Sequence, residues 1–164
     1  MKRIKQGLII FVCNTALMMV CGFATAQTTP QCSEETPPCT CDSANAVWRL
    51  RCFGSYCDNK DLNCDNLGLK KGTSYWTPYF DQYAMWCNSG DEIVDALDCQ
   101  NDYCSDIALH CVEITGPKSN CAWVGPISDG SDNTAVCPGS GYIDAVECDG
   151  SNCGNLYIHC CEVG

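Results

Sequence analysis

The cysteines of this chain are numerous and regularly spaced, and their chemistry is either oxidation to disulfides or ligation of a metal. The sequence contains 18 of them, of which Cys13 and Cys21 lie in an apolar N-terminal segment. The remaining sixteen form an even number, and none belongs to a Cys-x-x-Cys pair of the kind that binds zinc. We therefore predict that all sixteen are oxidised to disulfides, as in short secreted scaffolds.

Histidines and carboxylates are the other candidates for chemistry. His110 and His159 each directly precede a cysteine at equivalent positions, and we expect both on solvent-exposed strand faces rather than acting as general bases. Four carboxylates lie in one short stretch: Asp91, Glu92, Asp95 and Asp98. A pair of these could hydrolyse a glycosidic bond, but a solvated acidic face is the simpler interpretation. Acidic clusters in residues 58–61 and 129–132 do not have the spacing of an EF-hand, so we predict no metal and no cofactor.

Two tyrosines have a pattern that favours binding. Tyr56 and Tyr103 directly precede a cysteine in short polar segments, and Asn152 takes their place in a third such segment. Sugar sites commonly combine a stacking aromatic ring with amides and carboxylates that bind hydroxyl groups. The predicted glycan-binding set comprises Tyr56, Tyr103, Asn152, Asp58, Asp106 and Asn155. The structural alternative is that each tyrosine packs on its own neighbouring disulfide.

The cysteines around these segments recur in three groups of four. The groups are Cys41, Cys52, Cys57 and Cys64; Cys87, Cys99, Cys104 and Cys111; and Cys137, Cys148, Cys153 and Cys160. The second gap always contains four residues and the third six, and the groups recur every 46 to 50 residues. We interpret them as three copies of one unit, at about 41–86, 87–136 and 137–161. Each copy is too small to bury a core of its own.

The residues between the cysteines have the period of β-strands. Leu156, Ile158 and Cys160 alternate with polar residues and would share one face. The segments between second and third cysteines contain Gly, Asn, Asp and Ser, which favour hairpin turns. Trp76 and Trp123 mark a further strand that its prolines confine to an edge or bulge, and we expect both indoles to fill the core. The pattern predicts an all-β fold without helices.

One hypothesis for disulfide pairing follows from the hairpins. A bridge between the second and third cysteines would clamp each turn, and the first and fourth could then close the copy. The resulting pairs are Cys52–Cys57, Cys99–Cys104, Cys148–Cys153, Cys41–Cys64, Cys87–Cys111 and Cys137–Cys160. Cys32, Cys39, Cys121 and Cys161 remain and would tie the lead-in and the C-terminus to the body. Four cysteines allow three pairings, so the sequence does not select this one.

The N-terminus has the features of a secretory signal peptide. Three of its first five residues are basic, residues 7–23 are apolar, and residues 24–26 are small, as a signal peptidase requires. We predict cleavage after residue 26 and a secreted, extracellular protein, or a periplasmic one if the source is bacterial.

The mature chain is predicted to be strongly acidic and to consist of a lead-in and one domain. Cleavage removes three basic residues and no acidic one, so the net charge of −11 becomes −14. With a pI near 4.3, this charge repels nucleic acid and anionic membranes. We predict a Pro/Thr-rich lead-in at 27–38 and a single all-β domain at 39–164.

The spacing within each copy resembles that of the vitelline membrane outer layer protein I family. The matching residues are Cys87-Asn-Ser-Gly90, Ile93-Val-Asp-Ala-Leu-Asp-Cys99 and Asp106-Ile-Ala-Leu-His-Cys111, with counterparts in the other copies. The resemblance implies a β-prism of three antiparallel sheets around a pseudo-threefold axis. A β-trefoil is the alternative that also has threefold symmetry.

These observations favour a non-catalytic binding protein at an extracellular surface, with glycans as the ligand class. A structural component of an extracellular coat or matrix is the second hypothesis, because dense disulfides fit it equally well. An enzyme acting on polysaccharide is the third, and it would need a cleft lined by acidic residues from only one copy.

Overall fold

The computed structural model describes residues 30–164 with the exception of residues 34, 37, 43, 69–71, 89 and 129–132. The predicted signal peptide and the 129–132 acidic cluster lie outside the described residues. The strands are β1 (Gln31–Ser33), β2 (Cys39–Thr40), β3 (Asn45–Phe53), β4 (Asn59–Asn66), β5 (Ser74–Trp76), β6 (Ala84–Trp86), β7 (Glu92–Gln100), β8 (Asp106–Glu113), β9 (Lys118–Ser128), β10 (Thr134–Val136), β11 (Gly141–Asp149) and β12 (Asn155–Val163). Within the described ranges, no helix could span a membrane.

The strands form three antiparallel sheets of four strands each, and the prediction of an all-β fold is confirmed. The orders are β1-β4-β3-β10 in the first sheet, β2-β7-β8-β5 in the second and β6-β11-β12-β9 in the third. Each sheet is built around one long hairpin: β3/β4, β7/β8 or β11/β12. The strands β5 and β9, which carry Trp76 and Trp123, are edge strands, and the edge is the position expected for a strand that contains or adjoins a proline.

Short 3₁₀ turns close the hairpins at Ser55–Cys57, Asp102–Cys104 and Ser151–Cys153. The middle residue of each turn, Tyr56, Tyr103 or Asn152, has a positive φ between 56° and 65°. Such a backbone conformation is uncommon for residues other than glycine, asparagine and aspartate. Each turn is held at both ends by a disulfide, which keeps the strained middle residue in place.

Three short strands cross between sheets. The strand just before each hairpin does not pair with that hairpin but with another one. Thus β2 precedes β3 and pairs with β7, β6 precedes β7 and pairs with β11, and β10 precedes β11 and pairs with β3. This cyclic exchange ties every sheet to the next and covers hairpin edges that would otherwise be open.

The main core lies between the sheets, where β3, β7 and β11 pack against one another. Leu50, Leu97 and Val146 occupy corresponding positions on these strands and are fully buried. Most of the disulfides belong to the same apolar cluster. Each of the three strands also contains a β-bulge, at Trp48, Asp95 or Asp144, that shifts the hairpin register by one residue.

The described part of the chain contains eight disulfides. They are Cys32–Cys39, Cys41–Cys64, Cys52–Cys57, Cys87–Cys111, Cys99–Cys104, Cys121–Cys161, Cys137–Cys160 and Cys148–Cys153. Cys32 and Cys39 bond to each other rather than to the body, and the lead-in is held instead by β1, which pairs with β4. Eight disulfides in so small a β protein are consistent with an oxidising, extracellular environment.

Candidate functional site

The three hairpin turns meet at one end of the molecule, which we call the turn end (Ser55–Cys57, Asp102–Cys104 and Ser151–Cys153). Tyr56 and Tyr103 are 50% and 42% exposed there. Their ring centroids are 5.3 Å apart in an edge-to-face arrangement. The two tyrosines therefore contact each other at the turn end.

A shallow depression of about 440 Å³ lies beside these rings. Its lining residues are Asn101, Asp102, Tyr103, Ser105 and Asn152, which come from the second and third turns and their flanks. An aromatic ring, two amides, a carboxylate and a hydroxyl thus border one concavity. This is the donor and acceptor set that binds sugar hydroxyls beside a stacking surface.

The other predicted site residues lie around the turn end rather than in this depression. Asp58 accepts a hydrogen bond from Asn59 and borders a separate hollow with Ser33 and Glu35. Asp106 accepts one from the Asn101 side chain, which holds a residue of the depression in position. Asn155 begins β12, two residues after the end of the third turn. The structure therefore brings Tyr103 and Asn152 together with Tyr56 nearby, and places the remaining three at the margin.

A buried lysine lies behind the turn end. Lys60 is 1% exposed, and its ammonium donates to the carbonyl oxygens of Cys57 at 2.8 Å and Cys104 at 3.4 Å. These two carbonyls follow the two tyrosines in the chain, so the ammonium links the first turn to the second. Burial lowers the pKa of Lys60 to about 7, and the nearby Asp58 carboxylate partly opposes this shift.

Lys60 is absent from the predicted site residues, although the cysteine spacing contains a signal for it. Three residues after the third cysteine of each predicted copy stand Lys60, Ile107 and Leu156. All three face the core opposite a disulfide cysteine. A lysine at a position where the equivalent residues are aliphatic indicates a separate role for that position.

The outer face of the third sheet carries a second cluster, in which His159 is central. Its side chain is only 13% exposed, and its Nδ1 lies 2.6 Å from Oδ1 of Asp144 in the β11 bulge. Lys118 donates to the other oxygen of this carboxylate at 2.8 Å. The expectation that His159 is solvent-exposed is therefore wrong, because the bulge turns an aspartate onto the same face and the imidazole packs against it.

Two indoles cover this histidine. Trp86 and Trp123 have ring centroids 4.7 Å and 5.0 Å from the imidazole and 5.4 Å from each other. They are 43% and 39% exposed, so the prediction that Trp123 fills the core is wrong. The two tryptophans lie on the edge strands β6 and β9, opposite Ala145 and His159. Side chains directly opposite in a sheet point to the same side, which here is the side away from the core.

The second sheet repeats part of this cluster. His110 Nδ1 lies 2.6 Å from Oδ1 of Asp95, and the Trp76 ring centroid lies 4.9 Å from that of the imidazole, with the ring planes tilted by 46°. Trp76 is exposed rather than in the core, and Asp95 is mostly buried rather than part of a solvated acidic face, so both expectations are corrected. Thr40, opposite Ala96 in the second sheet, occupies the position that Trp86 has opposite Ala145 in the third sheet. The first sheet has Trp48 in the bulge, and Asn63, paired with Arg49, stands where the other sheets have a histidine, so the aspartate and the histidine are absent together there.

The donor set of the third sheet does not suit a metal ion. Atoms of Asp144, His159 and Cys161 lie within 4.8 Å of one another. However, the Cys161 sulfur is bonded to Cys121, and the Lys118 ammonium already compensates the carboxylate. A thioether-like disulfide sulfur is a poor ligand and cannot act as a thiolate nucleophile.

The fold and the two clusters define a small, disulfide-rich, three-sheet β protein with aromatic side chains on its surface. Comparison with protein-family models, with curated proteins and with solved structures finds no match to the chain.

Proposed function

We propose that this protein is a secreted, non-catalytic binding protein whose ligand is a glycan held at the turn end. The observation that carries the proposal is the pair of exposed tyrosines, Tyr56 and Tyr103, beside a concavity lined with amides, a carboxylate and a hydroxyl. A pyranose ring would stack on a tyrosine while Asn101, Asp102 and Asn152 bind its hydroxyl groups.

Backbone strain supports a binding role for the same residues. Tyr56, Tyr103 and Asn152 all adopt left-handed conformations. Such conformations cost on the order of 1–3 kcal/mol each and tend to cluster at ligand sites, where they hold a side chain in position before the ligand arrives. A rigid ring exposed in advance loses little conformational entropy on binding.

The proposed architecture is a β-prism with a threefold internal repeat, as in the vitelline membrane outer layer protein I family. Support comes from the three separate four-stranded sheets, the central packing of β3, β7 and β11, and the cyclic exchange of β2, β6 and β10. A repeat of this kind would present similar loops at one end and would allow weak sites to gain by multivalency.

A glycan array tests the function directly. We expect the wild-type protein to bind a subset of glycans, and Tyr56→Ala and Tyr103→Ala to weaken that binding by about tenfold or more, as truncation of an aromatic hot spot does. Tyr79→Ala is the matched control. Tyr79 is similarly exposed but lies outside the three turns, bonded to Asp98.

Two results would contradict the proposal. One is equal glycan binding by the wild type and both turn variants, and the other is no binding by a protein whose thermal transition is normal. In the second case, retention in an insoluble matrix fraction until reduction would favour the alternative of a structural coat. Release of sugars from a polysaccharide would favour the enzyme.

A further inference from the structure

The indole corner, formed by Trp86 and Trp123 over His159, presents aromatic surface that the core does not use. The two ring planes are nearly perpendicular, at 80°, and their centroids are 5.4 Å apart. One ring therefore acts as a floor and the other as a wall. The edge-to-face contact leaves no gap between the rings, so a ligand would lie on them rather than between them.

We propose that the indole corner is a second binding site, which takes a single neutral pyranose ring of a glycan chain. The ring would stack on one indole with its edge against the other. The site takes its ligand class from the proposed function but shares no residue with the turn end.

The charges around the corner are compatible with a neutral ligand. The Asp144 carboxylate behind it is bonded on one oxygen by His159 and on the other by Lys118. No uncompensated carboxylate of this cluster is therefore directed at the indoles to attract a cation. The strongly negative charge of the whole chain disfavours an anion. A hydroxylated, uncharged ring satisfies both conditions.

The base of the corner supplies rigidity. The hydrogen bond between Nδ1 of His159 and Asp144 fixes the imidazole against the two indoles. Ala145, in the same row across the sheet, is fully buried, so its small side chain lets Trp86 lean over the sheet towards Trp123. The floor and the wall are thus set before binding.

The second sheet provides a natural comparison. Trp76 and His110 reproduce one half of the arrangement, but Thr40 stands where the third sheet has Trp86. A single indole offers a stacking surface but no second ring against the edge of the ligand. We therefore expect the second sheet to bind the same ligands much more weakly, which makes Trp76 a matched control of similar exposure.

Tryptophan emission and calorimetry test the proposal with soluble, neutral hexasaccharides of glucose, mannose, galactose, xylose and N-acetylglucosamine. We expect at least one of them to shift the emission to shorter wavelength. Trp86→Ala and Trp123→Ala should each weaken that binding by about tenfold or more. Trp76→Ala and the double variant Tyr56→Ala/Tyr103→Ala should retain it.

The variants distinguish this site from the turn end. Weaker array binding by the tyrosine double variant, with an unchanged emission response to the hexasaccharide, would separate the two sites. If Trp123→Ala does not fold, Trp123→Phe keeps a ring in place and should retain part of the affinity.

Three outcomes would overturn the proposal. In the first, no hexasaccharide changes the emission of the folded protein. In the second, Trp76→Ala weakens binding as much as Trp86→Ala. In the third, sedimentation shows a wild-type dimer that Trp86→Ala dissociates, which would identify the corner as a contact between two copies of the chain.

Discussion

Lys60 stands at a strand position where the other two hairpins have Ile107 and Leu156. Its burial is unfavourable, because two carbonyl oxygens and Asp58, its partners among the described residues, only partly replace the water that the ammonium loses. The benefit of the lysine is local. It bonds the carbonyls that follow both turn tyrosines and so holds Tyr56 and Tyr103 in a defined relation.

Replacing this lysine with leucine should stabilise the fold at neutral pH. Burial lowers the pKa from 10.5 to about 7, so the unfolded chain binds more protons between these pH values. The free energy of unfolding of the wild type should therefore rise from pH 7 to pH 10. We expect the free energy of unfolding of Lys60→Leu to exceed that of the wild type by about 1–4 kcal/mol at pH 6. This difference should become smaller towards pH 10. Urea unfolding at several pH values measures this.

Arg51→Leu is the control for that experiment, because it removes one positive charge from an exposed position on the same hairpin. The change that Arg51→Leu causes in the free energy of unfolding should be the same at pH 7 and pH 10. A Lys60→Leu variant that is less stable than the wild type at every pH would show that the carbonyl contacts outweigh the cost of burial. Weaker glycan binding by a stabilised Lys60→Leu variant would indicate a positioning role for the lysine.

At the scale of elements, β9 shows how an edge strand adapts to its neighbour. The β9–β12 register shifts opposite Tyr157, and Gly125 lies in this irregular segment with a φ of +135°. A Cβ at Gly125 would lie 2.9 Å from the carbonyl oxygen of Leu156. The glycine is needed both for its backbone conformation and for the close approach of the two strands.

Gly125→Ala should therefore lower the free energy of unfolding by about 1–3 kcal/mol. A shift of the thermal transition, followed by circular dichroism, measures the effect. Gly90→Ala is the control, since a Cβ there meets no atom within 4 Å, and it should change stability by less than about 0.5 kcal/mol. Equal stability of the two variants would mean that β9 can relax away from β12.

For the whole molecule, covalent closure contributes to stability beside apolar packing. The main core lies between three sheets, and most disulfides are inside it. Reduction would remove covalent links and leave polarisable thiols in a core of limited size. We expect a reductant to lower the thermal transition strongly, and a transition that is indifferent to reductant would contradict this account.

The loss of stability on removing one disulfide should depend on the length of the loop that this disulfide closes. The Cys87–Cys111 bridge spans 24 residues, whereas Cys99–Cys104 spans 5. The chain-entropy argument assigns about 3.5 kcal/mol to the longer loop and about 2 kcal/mol to the shorter one. Urea unfolding of the two double alanine variants should therefore show the larger loss for Cys87→Ala/Cys111→Ala. The reverse order would indicate that the strained turn dominates.

The local features of the fold were predictable because local chemistry sets them. Alternating residues such as Leu156, Ile158 and Cys160 predict strands, and the polar segments between closely spaced cysteines predict hairpin turns. The all-β class and the disulfide-rich character follow from these patterns. The exposure of Tyr56 and Tyr103 was an open question, because a residue next to a turn disulfide can either cover it or point outwards.

Other features depended on packing between segments distant in the chain. Period-two patterning shows which residues share a face of a strand, but not which other strands cover that face. The short strands β2, β6 and β10 have too few residues to carry a pattern, so their exchange between sheets was not predicted. Trp86 and Trp123 come together over His159 only because β6 and β9 flank one hairpin, and Lys60 is buried only because three turns meet above it.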